Sequence, residues 1–200
     1  ETCQGPNIVR VADLDRDGDG DLAIASFSVP VLSILLNRGD AAFEAHADYS
    51  FADEVYGFLA MDLDGDEAQD LAVAHPNGDS ISLLWNDGKG AFGKPADLPV
   101  RPNVQAVAGG DLDGDGLPDL AGAGGTGYAC VIKNAGGRSF APAVDLEPGE
   151  NPAWVEAADL DADGDLDLAV AHFASGSLTI FWNDGTGGFG KKERVGLVSW

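Results

Sequence analysis

Asp13–Leu22 reads DLDRDGDGDL, and the same ten-residue pattern returns three more times. The other copies are DLDGDEAQDL (62–71), DLDGDGLPDL (111–120) and DLDADGDLDL (159–168). Their first aspartates are 49, 49 and 48 residues apart. A fixed period of this length marks a repeat architecture, in which stacked units share a core that no unit could bury alone. The 200 residues are therefore read as one domain of four units rather than as two ordinary domains.

The repeat extends outward from the loop on both sides. An apolar stretch precedes it: IVRVA (8–12), YGFLAM (56–61), VQAVAGG (104–110) and WVEAA (154–158). A second follows at LAIAS (22–26), LAVAH (71–75), LAGAG (120–124) and LAVAH (168–172). A third, with larger side chains, is LSILLN (32–37), ISLLWN (81–86), ACVIKN (129–134) and LTIFWN (178–183). Each then enters a glycine-rich turn that closes on a phenylalanine: NRGDAAF, NDGKGAF, NAGGRSF and NDGTGGF. A short fourth stretch completes the unit. Runs this short, rich in Val, Ile, Leu and aromatics and bounded by Gly, Asn and Asp, predict strands. SILLN, SLLWN and TIFWN are apolar on both faces, which predicts burial on both sides. The turns are expected to use Asn and Gly for their tolerance of positive φ.

Four antiparallel strands per unit, each unit sandwiched between copies of itself, predict an all-β chain: a β-propeller of four four-stranded blades. The blades fall at about 6–50, 51–100, 101–149 and 150–200 of a single domain spanning 1–200. Pro6, Pro102 and Pro152 precede equivalent inner strands, and Trp200 stands where another unit would start. The expected arrangements are a closed four-blade ring, half of an eight-blade ring made by two chains, or part of a longer array.

The loop chemistry points to a hard cation. Carboxylates at loop positions 1, 3 and 5 can turn inward around one ion, and glycine at position 6 permits a sharp turn. A fourth carboxylate follows at position 9, and a backbone carbonyl at position 7 would complete an oxygen shell. Such a set favours Ca²⁺ over Mg²⁺ and offers nothing to zinc. The expected ligands are Asp13, Asp15, Asp17 and Asp21, with the carbonyl of Asp19. In the second loop they are Asp62, Asp64, Asp66 and Asp70, with Ala68. The third uses Asp111, Asp113, Asp115, Asp119 and Leu117; the fourth uses Asp159, Asp161, Asp163, Asp167 and Asp165. About four ions, one per blade, are expected to stabilise rather than catalyse. The second loop carries Glu67 where the others have Gly18, Gly116 and Gly164, and is expected to be the weakest.

The formal charge is −23, from 34 acidic and 11 basic residues. That excludes nucleic acid and anionic membranes as favoured partners. Four divalent cations, eight positive charges in all, would bring it to about −15. No apolar run reaches the ~18 residues of a membrane span, so no membrane insertion is expected. Cys3 and Cys130 could pair in a secreted protein, or Cys130 could be a buried thiol at the position held by Ser33, Ser82 and Thr179.

DxDxDGxxDL followed by WNDGxGxF resembles the FG-GAP/VCBS repeat, the blade of integrin α-subunit propellers and of many secreted microbial proteins. The resemblance covers nearly the whole chain. It implies a calcium-binding propeller on a secreted or cell-surface protein, acting as a non-catalytic module for glycan or protein ligands. The alternatives are a self-assembling structural subunit and an accessory domain of a secreted polysaccharide-active enzyme.

Several tempting residues have plainer readings. Arg38-Gly39-Asp40 spells an adhesion tripeptide, yet it occupies the turn that Asp87-Gly88-Lys89 and Asp184-Gly185-Thr186 occupy elsewhere. His75 and His172 end equivalent strands, which argues for packing rather than catalysis, and His46 stands alone. Trp85, Trp182, Phe43, Phe92, Phe140 and Phe189 are expected in the core. Trp154 has no aromatic counterpart and is either packed or placed at the propeller mouth to stack on a sugar.

Overall fold

A computed structural model describes residues 5–40, 42–125 and 127–196, and their regular structure is strand alone. Blade 1 comprises β1 (Ile8–Ala12), β2 (Asp21–Ser26), β3 (Val29–Leu35) and β4 (Ala47–Ser50). Blade 2 holds β5 (Gly57–Met61), β6 (Asp70–Ala74), β7 (Ser80–Leu84) and β8 (Ala96–Pro99). Blade 3 holds β9 (Val104–Gly110), β10 (Asp119–Gly124) and β11 (Tyr128–Ile132). A small hairpin, β12 (Asn134–Gly136) and β13 (Ser139–Phe140), leads to its edge strand β14 (Val144–Leu146). Blade 4 holds β15 (Pro152–Ala158), β16 (Asp167–His172), β17 (Ser177–Trp182) and β18 (Lys191–Gly196). Within each blade the four long strands pair antiparallel in chain order.

The register repeats with the sequence. Ala12 faces Asp21, Met61 faces Asp70, Gly110 faces Asp119 and Ala158 faces Asp167. Each acidic loop thus joins the first two strands of its blade and ends on a paired aspartate. Because side chains alternate across a strand, every blade has one face toward the preceding blade and one toward the following blade.

Three cores result, each shared by two consecutive blades. Leu32 and Ile34 of blade 1 meet Phe58 and Leu71 of blade 2. Ile81 and Leu83 of blade 2 meet Val107 and Leu120 of blade 3. Ala123 and Val131 of blade 3 meet Val155 and Phe181 of blade 4. Among the described residues no buried core joins blade 4 to blade 1. The four blades form an open arc, not a closed four-blade ring.

The open ends explain where burial departs from expectation. β6, β7, β10 and β11 are buried on both faces or nearly so, as their sequences require. β17, the TIFWN strand, instead alternates between buried and half-buried, because no blade covers its second face. Phe92, Phe140 and Phe189 all pack into the core shared with the preceding blade. Phe43 has no preceding blade and is 40% exposed, so it is not a core residue here. Trp85 is half-buried and packs against a core; Trp182 is half-buried too but joins none of the three cores, so it is not the core residue expected.

Candidate metal centres and the groove between blades 2 and 3

The four acidic loops have converged side chains. In loops 1, 2 and 3 the carboxylates at positions 1, 3 and 5 each bring an oxygen within 4.8 Å of the others: Asp13, Asp15 and Asp17; Asp62, Asp64 and Asp66; Asp111, Asp113 and Asp115. In loop 4 the converging group is Asp159, Asp161 and Asp167. Backbone hydrogen bonds hold the shape. The position-1 carboxylate accepts the N–H of position 6 in every loop, from Gly18, Glu67, Gly116 and Gly164 at 2.8–3.1 Å. The position-5 carboxylates Asp17, Asp66, Asp115 and Asp163 accept the N–H of position 7, from Asp19, Ala68, Leu117 and Asp165.

The carboxylates at position 9 have a further role that the repeat pattern alone did not reveal. Asp21, Asp70, Asp119 and Asp167 are fully buried. One oxygen of each accepts the N–H of loop position 2 (Leu14, Leu63, Leu112, Leu160) at 2.7–3.1 Å. The other accepts the N–H of the asparagine after the third strand (Asn37, Asn86, Asn134, Asn183) at 2.7–2.8 Å. This buried aspartate therefore pins the loop to the turn opposite.

Electrostatics favour a cation. Burial raises the pKa of Asp15, and its carboxylate neighbours Asp21, Asp17 and Asp13 raise it further, against one backbone N–H that lowers it. Burial likewise lifts Asp70 to about 6, opposed by the N–H groups of Asn86 and Leu63. Asp119 and Asp161 are raised too, by desolvation first and by nearby carboxylates. Asp13 Oδ1 and Asp113 Oδ1 are buried without a hydrogen-bond partner, although each belongs to a converged group. A buried carboxylate oxygen left unpaired is costly. A divalent cation with an oxygen shell would satisfy both the orphaned oxygens and the mutual repulsion.

The loops are not equivalent, and the difference is wider than Glu67. Position 6 does require positive φ: Gly18, Glu67, Gly116 and Gly164 have φ of 93°, 69°, 86° and 100°. Position 4 requires it as well, in Arg16, Gly65, Gly114 and Ala162, at 64–83°. Loops 1, 2 and 4 each place one non-glycine residue in this conformation, at roughly 1–2 kcal/mol apiece. Loop 3 places none. Loop 2 is distinguished instead by arginine. Arg138 Nε reaches Asp64 Oδ2 at 2.5 Å, and Arg16 bonds both the carbonyl of Asp66 and its carboxylate, the latter at 3.2 Å. Lys133 makes a lesser intrusion on loop 3, 2.9 Å from Asp113.

The turn asparagines do not adopt positive φ; glycines two residues on do, Gly39, Gly88, Gly136 and Gly185. The asparagine side chain caps that glycine's N–H with its Oδ1. Its Nδ2 donates to the carbonyl before the buried aspartate, and in three blades also across to the preceding blade. Asn86 donates to Leu14 O, Asn134 to Leu63 O and Asn183 to Leu112 O, each at 2.8 Å. The one hint in the sequence was an asparagine at this position in all four copies. A hydrogen bond between residues 71 or 72 apart leaves no local signature.

The histidines are internal struts. His75 Nδ1 lies 3.0 Å from the Glu54 carbonyl and Nε2 lies 2.9 Å from Ser82 Oγ. His172 repeats this with the Glu150 carbonyl and Thr179 Oγ1. His46 is exposed beside Asp48. Gly39 carries the turn of Arg38-Gly39-Asp40, and Arg38 pairs with Glu44 at 3.5 Å. Cys130 is fully buried and burial pushes its thiol up to about 12; Cys3 and Trp200 lie outside the described residues.

Two concave surfaces stand out. Between the outer parts of blades 2 and 3 lies a groove of about 630 Å³ whose walls include Leu98, Val100, Phe140 and Pro142. Arg101 and Asp145 stand on it, paired at 2.6 Å. The same two residues also border a second, more polar hollow of about 470 Å³ with Tyr128, Glu147, Glu150 and Lys192. The Arg101 guanidinium lies 5.8 Å from the Tyr128 ring centre. A third hollow, about 420 Å³, is bounded by inner strands of all four blades. There Trp154, 37% exposed, donates to Glu156 Oε1 at 2.7 Å and has Arg10 at 6.0 Å.

Blades of four antiparallel strands, each with a convergent acidic loop between its first two strands, define a propeller of acidic-loop repeats. The model of the FG-GAP-like repeat matches four times, over residues 13–73, 62–122, 111–170 and 159–199. The chain belongs to that family. No curated protein sequence matches it. Among solved structures it is similar to an Agrocybe aegerita lectin described as recognising non-reducing terminal N-acetylglucosamine. That match has 21% identity and a TM-score of 0.67, covering 94% of this chain and 52% of the lectin. It is also similar to BBS1N, solved in complex with ARL6DN, at 17% identity and TM-score 0.64, covering 96% and 53%. A third is the V. cholerae biofilm matrix protein Bap1, at 19% identity and TM-score 0.58, covering 89% and 27%. At these identities the likeness is one of fold. The chain spans about half the length of the first two and about a quarter of the third.

Proposed function

We propose that this chain is a calcium-stabilised, non-catalytic binding module of a secreted or cell-surface protein, and that it takes glycan ligands. The carrying observation is the double hollow beside blades 2 and 3, whose two lobes share Arg101 and Asp145. The larger lobe falls within the size range of small-ligand sites and combines apolar walls with few polar groups. The half-buried Phe140 offers an apolar wall to a sugar ring, and the paired Arg101 and Asp145 offer both donors and acceptors to its hydroxyls. Calcium is supported by the converged oxygen-only loops and by the orphaned oxygens of Asp13 and Asp113. In this reading the ions hold the loops, and the loops hold the inner strands in register. Both internal histidines spend both ring nitrogens on contacts within their own blade, which supports a non-catalytic role. An extracellular setting is supported by a fourfold demand for calcium, which is abundant there. The relatives' recognition of N-acetylglucosamine and of a protein partner is consistent with a propeller put to binding use.

The test is a glycan array in calcium-containing buffer, repeated with Arg101→Ala and Asp145→Asn. Arg101 and Asp145 are partly exposed, so both variants should fold. Binding by the wild type that both substitutions weaken at least tenfold supports the site. Binding unchanged by either moves the ligand elsewhere, with the Trp154 hollow next to be tried. A wild type that binds no glycan overturns the glycan reading and favours a protein ligand.

A further inference from the structure

Loop 2 lies where two seams meet, the contact of blade 1 with blade 2 and that of blade 2 with blade 3, and an arginine reaches it from each side. Arg16, at position 4 of loop 1, pairs with Asp66 Oδ1 at 3.2 Å and donates to the Asp66 carbonyl as well. Arg138, in the turn of blade 3, reaches Asp64 Oδ2 through Nε at 2.5 Å and Asp66 Oδ2 through Nη2 at 3.9 Å. Its guanidinium also lies 5.0 Å from the ring centre of Trp85. The Asp64 side chain beneath it is only 6% exposed.

Both arginines stand at backbone positions that other copies fill with glycine. Arg138 has a φ of 65°, and its equivalents in the turns of blades 2 and 4 are Gly90 and Gly187, at 75° and 73°. Arg16 has a φ of 64° where loops 2 and 3 have Gly65 and Gly114, at 83° and 77°. A side chain in this left-handed region is strained, so the contacts it makes have to outweigh the strain. The turn position is one that faces a loop: at Gly187 a Cβ would come 3.0 Å from that of Asp113, in loop 3. The outcome differs from loop to loop. Among the described residues no lysine or arginine pairs with an aspartate of loop 1 or loop 4. Lys133 reaches Asp113 Oδ2, yet Oδ1 of the same carboxylate stays buried without a partner, as Asp13 Oδ1 does in loop 1. In loop 2 no carboxylate oxygen is orphaned in this way.

We infer that Arg16 and Arg138 are the built-in counter-cations of loop 2, and that calcium enters this loop only in competition with them. The inference rests on the calcium reading of the loops and adds to it which of the enclosed loops fills last, and why. Two guanidinium groups bring two positive charges, the charge of one calcium ion, and they stay protonated at any working pH. They are held on Asp64 and Asp66, two of the three carboxylates that converge in this loop. A divalent cation drawing on the same oxygens has to displace them, so its apparent affinity falls with the fraction of molecules in which they have withdrawn. The arginines, rather than the strained backbone of Glu67, set the affinity: the Glu67 N–H still reaches Asp62 at 2.8 Å, as the glycines at this position reach the first aspartate of their own loops.

The test is a calcium titration followed by nitrogen–proton NMR, with free calcium set by a chelator buffer. The amides of Gly18, Glu67 and Gly116 each bond the first carboxylate of their loop and report on it separately. In the wild type the Glu67 signal should need about ten times more free calcium than Gly18 and Gly116, or more. Arg138→Gly installs the residue that its equivalents carry, so the fold should hold, which circular dichroism checks. It should lower the Glu67 midpoint about tenfold or more and leave Gly18 and Gly116 unmoved. Arg16→Gly, which removes a more exposed pair, should lower it by less. A wild type whose Glu67 signal moves together with the other two overturns the inference, and so does a midpoint that neither arginine variant lowers. If Glu67→Gly, read at the Ala68 amide, lowers it instead, backbone strain is the cause. No response at any loop overturns the calcium reading itself, and this inference with it.

Discussion

Blades 2 and 3 and blades 1 and 4 are built from the same repeat and live in different environments. Leu63 and Leu112 are sealed under the next blade, whereas Leu160, at the same loop position, is 44% exposed. Phe58 is buried where Val9 is mostly open to solvent. Local sequence makes a blade; a neighbour on each side makes its residues into a core. Stability should therefore be concentrated at the three seams and should fall off toward both ends of the arc.

Four predictions would sharpen or break that contrast. The largest effect is expected from calcium removal. A calcium ion held at each proposed site would stabilise by mass action, about 2.7 kcal/mol where free calcium is a hundred times the dissociation constant. Chelation should lower the melting temperature steeply. Hydrogen exchange should then open the fourth loop, 159–168, before the second and third, which sit under neighbouring blades. Simultaneous opening of all four loops would erase the distinction between end and interior, and a melting temperature indifferent to chelator would remove calcium itself.

Next come paired core substitutions, measured where the chain is monomeric. Phe58→Ala should cost about 3–5 kcal/mol in denaturant unfolding. Val9→Ala, at the equivalent place on blade 1, should cost under about 0.5 kcal/mol, as exposed positions do. Comparable losses would mean that blade 1's outer face is covered within the single chain.

The turn asparagines offer a comparison with no change of core volume. Asn134→Ala strands the buried carbonyls of Leu63 and Pro118 and should cost about 1–3 kcal/mol. Both changes remove the cap on the glycine of the turn, but Asn37→Ala otherwise severs only the bond to Gly20, within its own blade, and should cost less than half as much.

The smallest effect concerns protons at the pinned aspartate of blade 2. Asp70 is lifted from 3.8 to about 6, first by burial. Between those values the folded state holds a proton that the unfolded state has released, so stability falls as pH rises through the window. In chelator, then, this group favours the fold below about pH 4 and its contribution is lost by about pH 6. Asp70→Asn should flatten that limb of the stability curve. A wild type whose metal-free stability rises steadily over the same range would show the carboxylate to be ionised in the apo fold.

Much was determined by the chain alone. The period of the acidic loop, strand-length apolar runs and turn residues at fixed offsets are local signals, and local signals are what alternation and turn chemistry encode. They fixed the strands, the blades and the aspartates that converge. The requirement at loop position 6 was legible as well, because glycine stands there in three copies of four. Position 4 was not, since Arg16 and Ala162 occupy a conformation that their side chains do not advertise. The rest needed the tertiary structure, because it depends on what lies across a seam from residues some seventy positions away. Whether TIFWN is covered on one face or two, why Phe92 is packed and Phe43 is not, and what Asn134 does with its second N–H are all settled by the presence or absence of a neighbouring blade. The repeat writes identical instructions into every blade; only their stacking decides which blades can carry them out.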